Sequence, residues 1–364
     1  MMNVDCLIVG AGQAGLTLAV MLNKKKINTL LLEQNQRIGD AWRRRPDNML
    51  LFTSRMMSQL PDFPLPGTPD GYPSKDEIAD YLERYAHHHN LNIQTETKIV
   101  SVKHQDGLFT LTTEQGEQFS SPCLINATGA NQIAITPEIA HHLSDSVQQL
   151  TADNYRNPKQ FKAGSRIAVI GDGASGRQIA QELSSSMQVT LFCGPPRPLL
   201  PNRIMGKDLF WWLSKIRILY SDTSSLIGKI MQRRNPLPCR ELNNRYLSSL
   251  NVQIAKRLVK VKQKTLFDQE GKKYTTDGVI WCVGYKEVTD WLTLPNVSNS
   301  QGFICESGNK NGGKTPHPGL FLIGRKWLSS RSSELLLGMN KDAQRVANLV
   351  EQYLATHPNV KHKT

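Results

Sequence analysis

Short apolar runs that stop at glycine dominate the pattern along this chain. The first is the strand read over residues 4–9, continuously apolar from Cys6 to Val9 after Asp5, and it ends at Gly10. A continuous apolar run of this length is the mark of a strand buried on both faces. Helical spacing follows over residues 13–24, and residues 29–32 form a second buried strand ending at Glu33. The order strand, glycine turn, helix, strand predicts a parallel pair joined by a crossover. A proline-rich loop covers residues 61–73. Ser74 then caps a helix running to His88, whose Ile78, Tyr81, Leu82 and Tyr85 recur at helical spacing. Residues 93–113 read as short strands, and residues 123–127 as a buried strand that ends at Thr128 and Gly129.

The pattern then restarts. Residues 166–170 predict a strand, 171–176 a glycine turn, 175–184 a helix and 189–193 the next strand. This restart is the internal repeat of the chain. Residues 278–283 predict a further strand ending at Gly284 and Tyr285. Residues 320–323 predict another, ending at Gly324, before a last helix over about residues 340–356. Alternating strands and helices with two glycine turns predict an α/β fold with two Rossmann-type nucleotide-binding domains. Because a strand and a helix remain after the second unit, it is expected as an insertion in the first. The first nucleotide-binding domain is expected over residues 1–145 and 295–364, and the second over 146–294.

The first turn is Gly10-Ala11-Gly12-Gln13-Ala14-Gly15. Its first glycine permits the tight turn, its second lets amides approach a pyrophosphate, and its third lets the helix pack closely. The helix N-terminus adds positive field. Glu33, with Gln34 beside it, lies about 20 residues on, where a ribose hydroxyl acceptor belongs. The second turn is Gly171-Asp172-Gly173-Ala174-Ser175-Gly176. No acid ends its second strand; Cys193-Gly194-Pro195-Pro196-Arg197 stands there instead. A missing acid with a nearby arginine favours a 2′-phosphate. Arg197 is therefore the candidate for NADPH selectivity and Arg203 the second, the alternative being that Arg197 is a plain surface residue. Two dinucleotide sites in one chain imply a hydride relay.

The formal net charge of the 364 residues is +13. Two dinucleotides are anions and want cationic neighbours. The basic residues are spread over Lys24–Lys26, Arg43–Arg45, Arg233–Arg234 and the stretch from Lys256 to Lys264, which suits a solvated surface better than a nucleic-acid stripe. No zinc-finger, recognition-helix or RNA-binding pattern is present. The six cysteines, Cys6, Cys123, Cys193, Cys239, Cys282 and Cys305, contain no C-x-x-C pair. That argues against a redox disulfide and for a reducing compartment. With no signal peptide and no apolar run of about 20 residues, the protein is expected in the cytoplasm.

Further motifs carry a resemblance. They are Gly39-Asp40-Ala41-Trp42, Asn126-Ala127-Thr128-Gly129, Tyr155-Arg156-Asn157-Pro158, Leu200-Pro201 through Gly206-Lys207, Trp281-Cys282-Val283-Gly284-Tyr285, and Pro318-Gly319-Leu320 through Gly324. With the two glycine turns, in this order, the chain resembles the class B flavin-dependent monooxygenases, which include the flavin-containing monooxygenases and the YUCCA-type plant enzymes. The resemblance covers nearly the whole chain. It implies an NADPH-dependent FAD monooxygenase that transfers one oxygen atom from O2 to a small soft nucleophile or ketone through a C4a-hydroperoxyflavin. It adds Gly39, Asp40, Trp42, Thr53, Ala127, Thr128, Gly129, Gly284, Tyr285 and Gly324 to the cofactor contacts. Two positions depart from the pattern: Thr151 stands where the family places a histidine, and residues 51–55 lack the asparagine that many members hold near the flavin ring. An FAD-dependent NAD(P)H oxidase or reductase, with NADH as an alternative donor, would keep the same fingerprints. A flavin-bearing sensor or membrane-associated binding protein is the reading outside enzymes.

No catalytic residue and no metal is assigned; the run His87-His88-His89 lacks partners for a metal site. Trp42 is read either against the flavin or in the core. The apolar segment 209–219, with Trp211 and Trp212, has three readings: a wall or lid of a substrate channel, a helix packed between domains, or a peripheral membrane contact. Residues 329–333, Ser-Ser-Arg-Ser-Ser, are read either as a last FAD contact or as a solvated loop. A homodimer is a further partner reading.

Overall fold

A computed structural model describes residues 4–297 and 312–357. Two five-stranded, all-parallel sheets organise the chain. The first has the order Leu320–Leu322, Cys123–Asn126, Cys6–Val9, Thr29–Leu32, Ile93–Gln94. The second has the order Gln253–Ala255, Gln188–Phe192, Arg166–Ile170, Gly278–Trp281, Gln148–Thr151. In each sheet the strand that leads into a glycine turn lies at the centre, with its crossover partner on one side. All strands of the second sheet fall between Asn126 and Leu320, the two ends of one gap in the first.

The central strands are apolar because both faces are covered. Cys6–Val9 and Thr29–Leu32 are buried at every position. One face packs on the Gln13–Lys24 and Met339–Thr356 helices, where Leu16, Val346 and Val350 are enclosed. The Lys75–His88 helix closes the same side through Ile78, Tyr81, Leu82 and Tyr85. Its start is a capping box, in which Ser74 accepts from the Glu77 amide and Glu77 reaches back to the Ser74 amide. The expected elements form within one or two residues of their expected limits, the last helix beginning at Met339.

The repeat goes further than the glycine turns. A three-stranded antiparallel sheet, Ile99–Gln105, Leu108–Thr113 and Gln118–Ser121, precedes the Cys123–Asn126 strand. A second one, Leu258–Lys262, Thr265–Asp268 and Lys273–Thr275, precedes Gly278–Trp281. Charge hides the second in the sequence, since the stretch from Lys256 to Lys264 presents lysines outward and buries only Val261 among its apolar positions.

The second sheet is tied at the start of its central strand by Arg166. Its guanidinium donates to both Asp277 oxygens (2.9 and 2.7 Å) and its amide donates to Oδ2 at 3.0 Å. These bonds hold the Asp277 carboxyl down at about 2 against an ordinary 3.8. The folded state therefore binds this proton more weakly than the unfolded chain. Its stabilising contribution is full above the ordinary value and is lost as pH falls through about 2. Asp277→Asn is expected to lower the melting temperature near neutral pH, with the gap to the parent closing on acidification below about 4. A gap independent of pH over that range would contradict the assignment.

Candidate functional site

The two glycine turns are built alike. Gly10 and Gly171 take φ of +105° and +108°, a region that only glycine enters freely. A methyl group on Gly10 would sit 2.7 Å from the Ala127 carbonyl oxygen, and one on Gly171 would overlap the Cys282 carbonyl oxygen. Methyl groups on Gly15 and Gly176 would overlap the carbonyl oxygens of Gly10 and Gly171. The middle glycines differ in kind. Nothing lies within 4 Å of where a side chain on Gly12 or Gly173 would begin. The outer glycines thus serve the fold, and the middle ones leave open space in front of a helix N-terminus. That is the cradle a pyrophosphate needs, so these residues fit dinucleotides at both turns.

Around the first cradle, the Glu33 carboxylate is buried. It accepts from the Ala11 amide at 2.8 Å and from the Asn35 amide at 3.0 Å. Asn126 ends its strand with an Asx turn, its Oδ1 accepting from Thr128 N (3.1 Å) and Oγ1 (2.7 Å). Gly129 follows at φ +78°, with open space where a side chain would begin. Gly324 (φ +77°) lies against the first turn, where a methyl would sit 2.8 Å from the Ala14 side chain. Gln13 and Ala14 open the helix.

A cavity of about 330 Å³ lies beside these residues, lined by Gln34, Ala41, Arg44, Arg45, Asn131, Gln132 and Asp153. Arg45 crosses it. It donates to the Tyr285 hydroxyl at 2.6 Å and pairs with Asp153 at 3.5 Å. Burial pushes the Tyr285 phenol up to about 12, so it stays protonated at neutral pH. Gln132 links two segments, donating to Thr128 Oγ1 and the Gly129 carbonyl and accepting from the Val288 amide. Sequence reasoning missed Gln132, Asn131 and Asp153. Their only signal is position just past a strand end, which loops of every kind share.

Other expected contacts have partners within the protein. The Asp40 carboxylate is occupied by Arg43 at 3.0 Å and by the Arg37 amide, so it serves the Asp40–Arg43 helix that Gly39 begins. Trp42 is half-buried against the apolar core. The Thr53 hydroxyl is held by Ser58 at 2.8 Å inside a buried turn. Residues 329–333 are not a solvated loop. Ser329, Ser330, Ser332 and Ser333 are almost fully enclosed, and Ser329 donates to the buried Asp342, whose carboxyl is raised by that burial.

The second turn carries its own acid. Asp172 Oδ1 accepts from the Gly194 amide at 3.1 Å and faces Arg197 at 3.7 Å. Its Oδ2 takes Arg177 Nη2 at 3.1 Å, with both side chains buried. In the first unit the acid stands at the end of the second strand and bonds the turn. In the second it stands in the turn and bonds the end of the second strand. Ala174 and Ser175 then begin the Ala174–Leu183 helix. Arg203 is committed elsewhere, donating to the Asp70 carbonyl oxygen and lying 4.8 Å over the Tyr72 ring.

Segment 209–219 divides. Leu209–Lys215 is a helix capped by Asp208, and Phe210 and Leu219 are buried with Met57 and Leu335. Trp211 instead lines a cavity of about 340 Å³ with Met56, Met57, Leu60, Tyr220 and Leu337. Asp208 also accepts from the Ser54 amide, which fastens this segment to the turn holding Thr53.

The described residues contain no group of three metal-ligating side chains, and His88 packs on Phe63 and His89 on Tyr85. Burial raises the Cys193 thiol to about 11 and the Cys282 thiol to about 12, so neither is a thiolate at neutral pH. Cys6 and Cys123 are buried on neighbouring strands, and Cys305 lies outside the described residues.

Against known proteins, residues 7–195 match the pyridine nucleotide-disulphide oxidoreductase family. An uncharacterized CzcO-like oxidoreductase of Geobacillus kaustophilus is 35% identical, over 95% of this chain and 97% of its own length. The probable indole-3-pyruvate monooxygenase YUCCA9 of Arabidopsis thaliana is 26% identical, over 81% of this chain and 78% of its own. The chain belongs to the pyridine nucleotide-disulphide oxidoreductase family, and the likeness to YUCCA9 agrees with its resemblance to the class B flavin-dependent monooxygenases. Its fold agrees: the flavin-containing monooxygenase of Stenotrophomonas maltophilia superimposes with a TM-score of 0.81 at 23% identity, over 97% of this chain and 99% of that one. The family match and the 35% identical relative make this chain an oxidoreductase.

Proposed function

We propose that this chain is an NADPH-dependent FAD monooxygenase acting on a small organic substrate, with residues 1–145 and 295–364 binding FAD and residues 146–294 binding NADPH. The observation that carries the reading is the pair of open cradles at Gly12 and Gly173, each before a helix N-terminus and each at the centre of its own parallel sheet. At the first, the amides of the turn would hold the FAD pyrophosphate and Glu33 a ribose hydroxyl. Gln34, Arg44 and Arg45 supply polar and cationic walls for an anionic cofactor. At the second, Arg197 would take the 2′-phosphate, held in place by Asp172. Bound flavin would accept hydride from NADPH and pass the electrons to oxygen, and the protein's part is to hold the two rings together and keep water out. The recess lined by Trp211, Met56, Met57, Leu60 and Tyr220, with Gln59, Ser214, Lys215 and Asn340 supplying polar groups, has the size of a small-molecule site.

Arg197→Ala is expected to raise the KM for NADPH about tenfold, the worth of one charge-assisted contact, and to leave the KM for NADH nearly unchanged. Steady-state kinetics with both donors checks this, and equal effects on both would remove Arg197 from the role.

One observation favours a second reading, an NAD(P)H oxidase or reductase that does not oxygenate. Thr151, where the family places a histidine, spends its amide and hydroxyl on Asn154, closing a local turn. Hydrogen peroxide formed in step with NADPH consumption would support that reading, and tight coupling to an oxygenated product would support the first.

A further inference from the structure

Half of the large apolar side chains that stand exposed among the described residues come from one excursion of the chain. They are Ile204, Met205, Ile216, Leu226, Ile227 and Ile230, with Met205 at 87% and Leu226 at 75% exposure. The excursion is fixed on its inner side. Leu209, Phe210 and Leu219 are buried, Asp208 accepts from the Ser54 amide, and Thr223 donates to the Ser329 carbonyl at 3.1 Å. Its outer side holds the tip of the Arg203–Asp208 hairpin and the Leu226–Arg234 helix.

That helix is well formed. Ser225 caps its start, and Asn235 ends it in the left-handed region. Yet only Gly228 of its nine residues is buried. Leu226, Ile227, Ile230 and Met231 form one face, at helical spacing, with Arg234 at its C-terminal end and Lys229 and Arg233 along one side. A helix built with an apolar stripe and left outside the core is waiting for a cover.

Charge says what the cover is. Residues 203–234 hold seven Lys or Arg and two acids. Both acids are spent: Asp208 is buried, and Asp222 accepts from Ser224. Lys215, Arg217, Lys229, Arg233 and Arg234 are exposed and make no ion pair with another described residue. Trp212 is pinned to the hairpin by its indole N–H on the Ile204 carbonyl (2.9 Å), and Lys215 lies 5.4 Å from the Trp211 ring. Exposed aliphatic side chains, tryptophans and unpaired cations in one surface match the boundary of an anionic bilayer, where acyl chains take the first and headgroup phosphates the last. We propose that the 203–234 excursion docks this protein on anionic membrane surfaces. The contact is peripheral, since none of the described helices is long and apolar enough to cross a membrane. The expected contact within 209–219 therefore moves outward: the buried half of that segment anchors the excursion, and its neighbours on either side meet the lipid.

The test is cosedimentation of the full chain with vesicles of phosphatidylcholine alone and of an equimolar mixture with phosphatidylglycerol, alongside light scattering for oligomeric state. The parent is expected to pellet with the mixed vesicles, not with phosphatidylcholine, and to be released by high salt. Leu226→Ser with Ile230→Ser changes only exposed side chains. It should weaken partitioning about tenfold or more while leaving the melting temperature unchanged. Arg233→Glu with Arg234→Glu should abolish the preference for the anionic vesicles. Failure to bind mixed vesicles, or equal binding by the serine variant, would overturn the proposal. So would a parent dimer that the serine variant breaks without any lipid binding, which would make the cover a second copy of the chain.

Discussion

Gly12→Ala is expected to fold as well as the parent and to purify without its flavin. The backbone at Gly12 (φ −77°, ψ −177°) is open to alanine, and the new methyl meets nothing within 4 Å in the protein. The folded chain therefore loses nothing. The methyl instead occupies the space where a pyrophosphate must come within hydrogen-bond reach of the turn amides, and a steric loss there costs well over one order of magnitude in affinity, about 1.4 kcal/mol per factor of ten. Gly15→Ala is expected to fail in the opposite way. Its methyl overlaps the Gly10 carbonyl oxygen at a helix–strand contact, so the protein itself should be destabilised or insoluble. Flavin-to-protein absorbance and a thermal melt of each variant, with apo parent as the reference, separate the two cases. A fully yellow Gly12→Ala would contradict the cradle.

Asp172→Ala should be the most damaging substitution in the second unit. Arg177 is 3% exposed and donates to the Asp172 carbonyl, the Asp172 carboxylate, the Leu242 carbonyl and Asn244 Oδ1. Removing the carboxylate strands a buried cation, at a cost of about 3–5 kcal/mol. It also frees the Gly194 amide and Arg197, so the KM for NADPH should rise as well. Asp172→Ala combined with Arg177→Met removes both charges and should regain most of the stability without regaining NADPH affinity. Melting temperatures and NADPH kinetics of the single and double variants form the check. A single variant as stable as the parent would contradict the buried pair.

The first prediction rests on what was readable in the chain, the second on a pair that only the folded structure shows. The glycine turns were legible because each glycine answers a local demand: a left-handed φ at Gly10 and Gly171, and a close backbone approach at Gly15 and Gly176. Buried parallel strands were legible because their apolar runs are continuous and glycine-bounded. The acid in the second unit was visible as a residue, but its role was not. Whether Asp172 faces a ribose or anchors Gly194 depends on Arg177 and on Asn244, which is 72 positions away. The serines at 329–333 read equally as an FAD contact or a solvated loop, because a polar run is silent about Asp342 behind it. Arg203 looked free for a phosphate until the loop at Asp70 and Tyr72 folded against it. The second antiparallel sheet was masked by lysines that cost nothing on an exposed face.

The central claim is that FAD and NADPH occupy two cradles of one chain and that the reduced flavin delivers oxygen. Anaerobic mixing of the FAD-loaded protein with NADPH, followed by rapid mixing with oxygenated buffer under spectral recording, tests it most directly. The account predicts loss of the oxidised-flavin spectrum on the first mix. On the second it predicts a distinct absorbing species that outlasts the mixing before the oxidised spectrum returns. A flavin that NADPH does not reduce would contradict the two-site reading. Prompt return to the oxidised spectrum with equivalent peroxide would contradict the oxygenase.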